Sequence, residues 1–424
     1  MDTIFALSSG PPPAGIAVLR VSGPDAGPAL RALAGRLPEP RHARLAAFRA
    51  ADGALLDKGL ALWFPGPDSA TGEDLAELHL HGGRAVIAAV EKALAAIPGL
   101  RRAQPGEFTR RAFTNGRIDL AEAEGLADLL AAETELQRRS ALALAGGAFS
   151  RRLEGWRERL LTISANIEAA LDFEDEDDVA APDPELGRAI EALAAELAAV
   201  LDAPHAEILR EGFRVVLAGP PNSGKSTLFN ALIESEAAIT APSAGTTRDV
   251  LVRPVAMGGV PFSFVDTAGL RGEGADGVEA IGIDRARAEL ARADLVLWLG
   301  PEGEGPEAAW EIEAQIDRAG HGAKRAPDHR VSAVTGEGLP ELKHALVTKA
   351  MASMPGPGEA ALGARQRRLL SEAGEALRGA GEVTDLLLLA EQLRVARAAF
   401  DRLIGRTATE DMLDALFGRF CIGK

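Results

Sequence analysis

The chain has 424 residues, with 46 Lys or Arg against 62 Asp or Glu, a net charge of -16; the length predicts two or more domains, and the charge excludes a protein that coats nucleic acid through its overall field. A single cysteine excludes an internal disulfide framework and a Cys-cluster metal site, and predicts a reducing compartment. The 47% hydrophobic content, with 4% aromatics and no Tyr, favours Ala-rich helices over an all-β sandwich and leaves few stacking platforms for single-stranded RNA.

The opening residues MDTIFALSSGPPPAG carry no positive charge before Arg20, and their apolar stretch is too short for a secretion signal. No run approaches the roughly 18 apolar residues that would span a bilayer. A cytoplasmic protein without a membrane segment is therefore expected. Over residues 1–117, short apolar runs alternate with Gly/Pro punctuation: Ile16 to Val21 before Ser22-Gly23-Pro24, Leu60 to Phe64 before Pro65-Gly66-Pro67, and Leu75 to Leu80 before Gly82-Gly83. This predicts an α+β domain. If Leu75 to His81 is a strand, Glu77, His79 and His81 share one face. Same-face neighbours are then about 6.6 Å apart, too far to converge on one metal ion, so packing and polar support are the expected roles.

From Ile118 the apolar spacing becomes helical, through Leu120, Leu126 and Leu130 into an Ala/Leu/Glu/Arg-rich stretch reaching about Phe173. The acidic run Asp172 to Asp178 reads as a solvated loop, with a cation site as the other reading. A further helix is predicted from Asp183 as N-cap and Pro184 at the first position, with Ile190, Leu193, Leu197 and Leu201 on one face and an end near Pro204. Residues 210–350 alternate strands and helices. The expected strands are Phe213 to Ala218, Phe262 to Val265, Leu295 to Leu299 and Arg330 to Val334, in an α/β domain with a mainly parallel sheet. After Pro355-Gly356-Pro357 the chain is helical again, with Leu386, Leu389, Leu393, Ala396 and Phe400 on one face. The α/β domain is thus read as inserted between two helical segments, 118–209 and 351–424, able to pack together.

Gly219-Pro220-Pro221-Asn222-Ser223-Gly224-Lys225-Ser226-Thr227 follows a predicted strand and opens a predicted helix. This is a phosphate loop: its backbone N–H groups and helix N-terminus face phosphates, Lys225 reaches the outer phosphates, and Ser226 ligates Mg2+. About twenty residues on, Ala244-Gly245-Thr246-Thr247-Arg248-Asp249 offers Thr247 as a second Mg2+ ligand. Asp266-Thr267-Ala268-Gly269 ends a strand, so Asp266 holds the metal's water shell and Gly269 N–H faces the γ-phosphate. These three elements in order resemble the translation-factor-related GTPases. Leu270 stands where many GTPases carry a water-orienting glutamine, and Glu279, on a Gly-rich segment, is the nearest replacement. On spacing alone Glu279 is read sooner as a solvent-facing helix carboxylate. The base-reading element is incomplete: Ala314-Gln315-Ile316-Asp317 keeps only the acid of the [NT]KxD pattern, while Ser332-Ala333 fits the second base-side loop. Losing the Asn and Lys removes a hydrogen-bonding brace and apolar cover, so weakened guanine affinity is expected.

Taken whole, the chain resembles the MnmE (TrmE) family of tRNA modification GTPases. The likeness rests on Gly15-Ile16-Ala17-Val18-Leu19-Arg20-Val21-Ser22-Gly23, on Thr71-Gly72-Glu73-Asp74 and Glu77-Leu78 before His81-Gly82-Gly83, on Pro105-Gly106-Glu107-Phe108-Thr109-Arg110-Arg111-Ala112-Phe113, on the inserted GTPase domain, and on the closing Cys421-Ile422-Gly423-Lys424. The resemblance implies an N-terminal domain that forms a homodimer and binds 5-formyl-tetrahydrofolate, a helical domain in two parts, and a GTPase domain binding GTP, Mg2+ and K+. It implies a heterotetramer with an FAD-containing partner that attaches an aminomethyl or carboxymethylaminomethyl group to carbon 5 of the wobble uridine of tRNA. By matching positions, Arg20, Glu77, Arg117 and Lys424 contact the folate, and Asn222 ligates K+ with Ala241, Ser243 and Thr246 across the loop Ala241-Pro242-Ser243. Glu279 orients water, and Cys421 belongs to the modification chemistry. Rival readings are a ribosome-assembly switch and a P-loop NTPase of relaxed base specificity. Arg101, Arg102, Arg110, Arg111 and Arg117, interrupted only by Glu107, read as a local basic patch for a focal tRNA contact.

Overall fold

The computed structural model describes residues 2–172, 184–202, 206–234, 237–238, 252–266, 287–354, 356, 361–383, 385–418 and 420–423. It divides into two compact units, Met1–Ala127 with Ala398–Lys424, and Asp128–Arg397.

In the first unit, strands β1 (Thr3–Leu7), β2 (Ala14–Ser22), β3 (Arg44–Arg49), β4 (Leu55–Phe64), β5 (Leu75–Gly82) and β6 (Leu100–Arg102) form one sheet in the order β3-β4-β5-β2-β1-β6. Only the β1/β6 pair is parallel. Helices α1 (Ala26–Ala34) and α2 (Arg84–Ala95) cover one face. Strand alternation decides which side chains meet them: Leu19 and Val21 of β2 and Ala76, Leu78 and Leu80 of β5 turn into the core with Phe5, Leu30, Phe48 and Val90. The opposite parity puts Arg20 beside Glu77 across the β2/β5 ladder. Removing each such large side chain from water contributes about 2 kcal/mol.

Helix α3 (Glu107–Thr114) and the start of α4 (Leu120–Ala131) pack with the helix Glu410–Phe417 around Leu120, Leu413, Phe417 and Phe420. The approach is close at Gly106, whose φ is +68°. A Cβ there would stand 2.1 Å from the Phe417 carbonyl oxygen. Beside it a backbone bridge joins Pro105 to Ile422.

In the second unit, the helical stretch expected to run on to about Phe173 is broken. It continues from α4 as α5 (Glu135–Ala145) and α6 (Ala148–Asp172). Thr134 stops and restarts it through a capping box, its hydroxyl accepting from Gln137 N–H while Gln137 Oε1 accepts from Thr134 N–H. Helix α7 (Pro184–Leu201) starts at the expected proline and buries Ile190, Leu193 and Leu197; Asp183 and most of the acidic run lie outside the described residues. Helix α11 (Ala364–Glu382) packs along α7, and Arg367 donates to the Leu201 carbonyl at 2.8 Å. Helix α12 (Leu386–Ile404) begins in this unit and ends in the first; Leu389, Leu393, Ala396 and Phe400 are buried as its spacing predicts.

The remaining strands, β7 (Phe213–Ala218), β8 (Ala237–Ala238), β9 (Val252–Met257), β10 (Val260–Asp266), β11 (Leu295–Trp298), β12 (Trp310–Ala314) and β13 (His329–Val331), lie in the order β13-β12-β11-β7-β10-β9-β8. From β13 to β10 all neighbours are parallel, and β9 pairs antiparallel with β10 and β8. Phe213, Val215, Leu217, Phe262 and Phe264 fill the centre, with α8 (Ala206–Glu211), α9 (Lys225–Glu234) and α10 (Leu339–Ala352) against it. The strand expected at Arg330 to Val334 stops at Val331. Ser332 turns the chain there, its Oγ accepting from Thr335 N–H at 3.0 Å.

The links 299–309 and 315–328 contain no helix, although parallel neighbours are usually joined through one. Charged groups cover β12 instead. Lys324 donates to Glu311 (2.5 Å) and to the Trp298 carbonyl (2.8 Å), and Glu313, 2% exposed, meets His321 (2.8 Å) and Arg330 (3.2 Å).

Candidate functional site

The phosphate loop spans the turn from β7 to α9. Its conformation departs from the ordinary regions at Asn222 (φ +62°) and Gly224 (φ +95°), which curves the backbone so that successive N–H groups face inward. The buried Lys225 lies across the loop, Nζ donating to the Gly219 and Pro220 carbonyls at 2.9 and 2.7 Å. At the head of α9, Ser226 Oγ donates to Asp266 Oδ2 at 2.7 Å, bringing together two sequence-predicted residues 40 positions apart. Asp266 is 3% exposed. A hydroxyl and a buried carboxylate are hard oxygen donors of the kind Mg2+ prefers. Among the described residues, the Ser223 hydroxyl is buried without a hydrogen-bond partner, in keeping with a loop shaped for a further polar group.

The base-side residues also converge. Ser332 Oγ donates to Asp317 Oδ1 at 2.6 Å, joining the two loops that the sequence assigns to the base. That bond chiefly holds the Asp317 carboxyl below its ordinary range. Gln315, Asp317, Ala333 and Val334 line a small cavity with Gly224 and Thr227 of the phosphate loop and α9. Behind it, burial opposes ionisation of Glu313, but bonds from His321 and Arg330 outweigh this and keep it charged. Ala241 to Thr247, Thr267 to Gly269 and Glu279 lie outside the described residues.

In the first unit, Arg20 Nε and Nη2 both donate to Glu77 Oε1 (3.2 and 2.9 Å), the Glu77 Oε2 stands 3.2 Å from His79 Nε2, and the guanidinium lies over the Phe108 ring at 5.8 Å. Burial pushes the Glu77 carboxyl up, but hydrogen bonds from His79 and Arg20 overcome it and hold it below the usual carboxylate range. His81 turns away to Asp57, with its ring Nδ1 at 2.8 Å. Glu77, His79 and His81 therefore belong to two separate hydrogen-bonded clusters.

Arg117 pairs loosely with Asp68 at 3.7 Å, and its stem flanks Gly72. Cys421 is exposed beside the Pro105–Ile422 bridge; Lys424 lies outside the described residues. A partly buried network that the sequence did not single out ties three of its motifs together. Ser22 Oγ bonds Thr71 (2.7 Å) and Glu73 (2.8 Å), Arg111 donates to Glu73 (3.0 Å), and Asn115 donates to the Thr71 carbonyl (2.7 Å).

The basic patch is corrected by the structure. Arg101 pairs with Asp2 and Glu107, Arg102 with Glu91, Arg110 with Glu410 and Asp414, and Arg111 with Asp2, Glu73 and Glu107. Adjacent arginines would repel, and folding brings a carboxylate to each. Several line a cleft of about 610 Å³ between α3 and the helix Glu410–Phe417.

Comparison with known families matches residues 3–117 to a model described as the GTP-binding protein TrmE N-terminus, and residues 120–421 to one described as the MnmE helical domain. A protein of Novosphingobium aromaticivorans described as tRNA modification GTPase MnmE is 63% identical over the whole of both chains. Its counterpart in Erythrobacter litoralis is 62% identical, again over the whole of both. Among solved structures, the G domain of the T. maritima FeoB iron transporter is 29% identical, covering 32% of this chain and 98% of that one, with a TM-score of 0.23.

Proposed function

This chain belongs to the MnmE (TrmE) family of tRNA modification GTPases, and from that premise we propose how its residues divide the work of a GTP hydrolase acting in tRNA modification. The observation that carries the reading is the Ser226–Asp266 bond of 2.7 Å at the head of the phosphate-loop helix, in a chain matched over its full length. Mg2+ bound there supplies charge neutralisation on the outer phosphates. Lys225 leaves the loop carbonyls to meet the outer phosphates, and Asp317, steadied by Ser332, accepts from the guanine edge. Asn222, with Ala241, Ser243 and Thr246, would hold K+, which would supply positive charge to the developing transition state. Glu279 orients the attacking water across the paired GTPase domains of a homodimer.

In the N-terminal domain, residues 1–117, the Arg20–Glu77–His79 cluster and Arg117 hold 5-formyl-tetrahydrofolate together with Lys424, and the folate supplies the one-carbon unit. Glu77 stays ionised at neutral pH, so it accepts from the N–H groups of the pterin edge. Cys421 serves the modification step. The segments 118–209 and 351–424 form one helical domain around the GTPase domain 210–350. The proposed setting is cytoplasmic, in a heterotetramer with an FAD-dependent partner and tRNA.

Phosphate release from GTP and from ATP, each in K+ and in Na+, tests the nucleotide half. GTP hydrolysis is expected to rise at least about tenfold in K+, the order of effect a transition-state charge supplies, with ATP slow in both. Equal rates in the two salts would remove Asn222 from its role, and equal rates with ATP and GTP would favour an NTPase of relaxed specificity.

A further inference from the structure

The base-reading element departs from its pattern at Ala314 and Gln315, and both lost functions have a substitute nearby. The first is the brace between the base loop and the phosphate loop. Gln315 Nε2 donates to the Asn222 carbonyl at 3.2 Å, across 93 residues of sequence. Its side chain lies against Gly224 so closely that a Cβ there would stand 3.0 Å from Nε2 and 3.3 Å from Cγ. Gln315 holds φ at +61°, a left-handed conformation that a non-glycine residue adopts only at a cost. That twist points the amide back at the phosphate loop while leaving Asp317, two residues on, bonded to Ser332.

The second is the apolar cover. Val334 follows the second base-side loop and is 72% exposed. A branched aliphatic side chain in that setting gains nothing from the core. It lines the same cavity as Gln315, Asp317 and Ala333.

We propose that Gln315 and Val334 replace the missing motif pair, Gln315 as the brace that registers the base loop against the phosphate loop and Val334 as the apolar face against the base. The ligand is a guanine nucleoside di- or triphosphate, and its affinity is not diminished by the departures at Ala314 and Gln315. The inference rests on the assignment of Asp317 to the guanine edge. Because the Gln315 amide is neutral, the brace adds no charge beside the nucleotide. It acts through position, and Gln315 is a positioning residue.

The test uses the full chain and a fluorescent guanine nucleotide in Mg2+ and K+, reading affinity and dissociation rate. Gln315→Glu keeps the shape, loses the N–H donor and sets a carboxylate against the Asn222 carbonyl; it should weaken GTP and GDP alike by about tenfold. Gln315→Lys restores a donor and should bind at least as tightly as the native chain, a rescue that a merely space-filling role does not predict. Val334→Ser, at an exposed position where folding is not at stake, should speed dissociation about threefold. Native affinity in Gln315→Glu, or equal weakening in Gln315→Lys, overturns the brace, and native dissociation in Val334→Ser overturns the cover. Asp317→Ala separates the premise: native affinity in that variant overturns the base site itself and the inference with it, whereas lost affinity there beside unaffected Gln315 and Val334 variants overturns the inference alone.

Discussion

His321 holds a position that only one protonation state satisfies. Nε2 faces the Glu313 carboxylate at 2.8 Å and Nδ1 faces the Arg318 carbonyl at 3.0 Å. Both partners accept, so both ring nitrogens must carry protons. Glu313 first, and then the Arg318 carbonyl, raise the His321 pKa above its ordinary 6.5. Since the folded value exceeds the unfolded one, the stabilisation is complete below pH 6.5 and is lost as pH rises through the raised pKa. His321→Gln should therefore melt below the native chain at about pH 5.5, with the gap closing as pH rises through the raised His321 pKa. A gap that does not change with pH would contradict this role. Nothing in the run Arg318 to Lys324 marks His321, because its partners come from another strand and from its own turn. Lys225, Ser226, Asp266 and Asp317 were legible for the opposite reason. A phosphate loop and the ends of parallel strands bring fixed sequence offsets to fixed places, whereas the Gln315 brace depends on one left-handed φ that spacing does not reveal.

Among elements, α3 and the helix Glu410–Phe417 meet where a side chain cannot fit. Gly106→Ala must relieve a Cβ at 2.1 Å from the Phe417 oxygen while holding φ at +68°. The expected loss is about 1–3 kcal/mol, read as a lower denaturant midpoint at unchanged slope. A native midpoint would show that the helix pair gives way freely. The strands with plain alternation or plain burial, β2, β5, β7 and β10, were legible to within a few residues. β12 was not, because Trp-Glu-Ile-Glu-Ala carries two acids at positions that read as exposed. Glu311 and Glu313 instead lie under the 315–328 link, matched by Lys324, His321 and Arg330. Ion pairs there do what apolar crossover helices do elsewhere, and they leave the hydrophobic pattern of a buried strand unwritten.

For the whole molecule, charge is the controlling quantity. The net value of -16 stands beside arginines 101, 102, 110, 111 and 117 that each already hold a carboxylate. A phosphate backbone meeting this surface must displace acids as well as counterions. The affinity of the chain alone for tRNA should fall with added salt on a log–log slope shallower than about -3. A steeper slope would require a basic surface beyond these paired arginines. Local charge counts in the sequence suggested a patch, and the fold cancels it, since pairing across 300 residues, as between Arg110 and Glu410, has no signature in neighbouring positions.

The first unit is assembled from two stretches, Met1–Ala127 and Ala398–Lys424. During synthesis its sheet leaves the ribosome long before the helix Glu410–Phe417 that packs on α3 exists. At roughly 5–20 residues per second, the intervening residues 128–397 take some tens of seconds to be made. For that interval Phe113 and the Leu120 face wait without Phe417 and Phe420, apolar surface open to chaperones, to other nascent chains and to proteases. The uncovered face of α3 and α4 is thus exposed to quality control on every round of translation, and a pause in the middle of the message would lengthen that exposure.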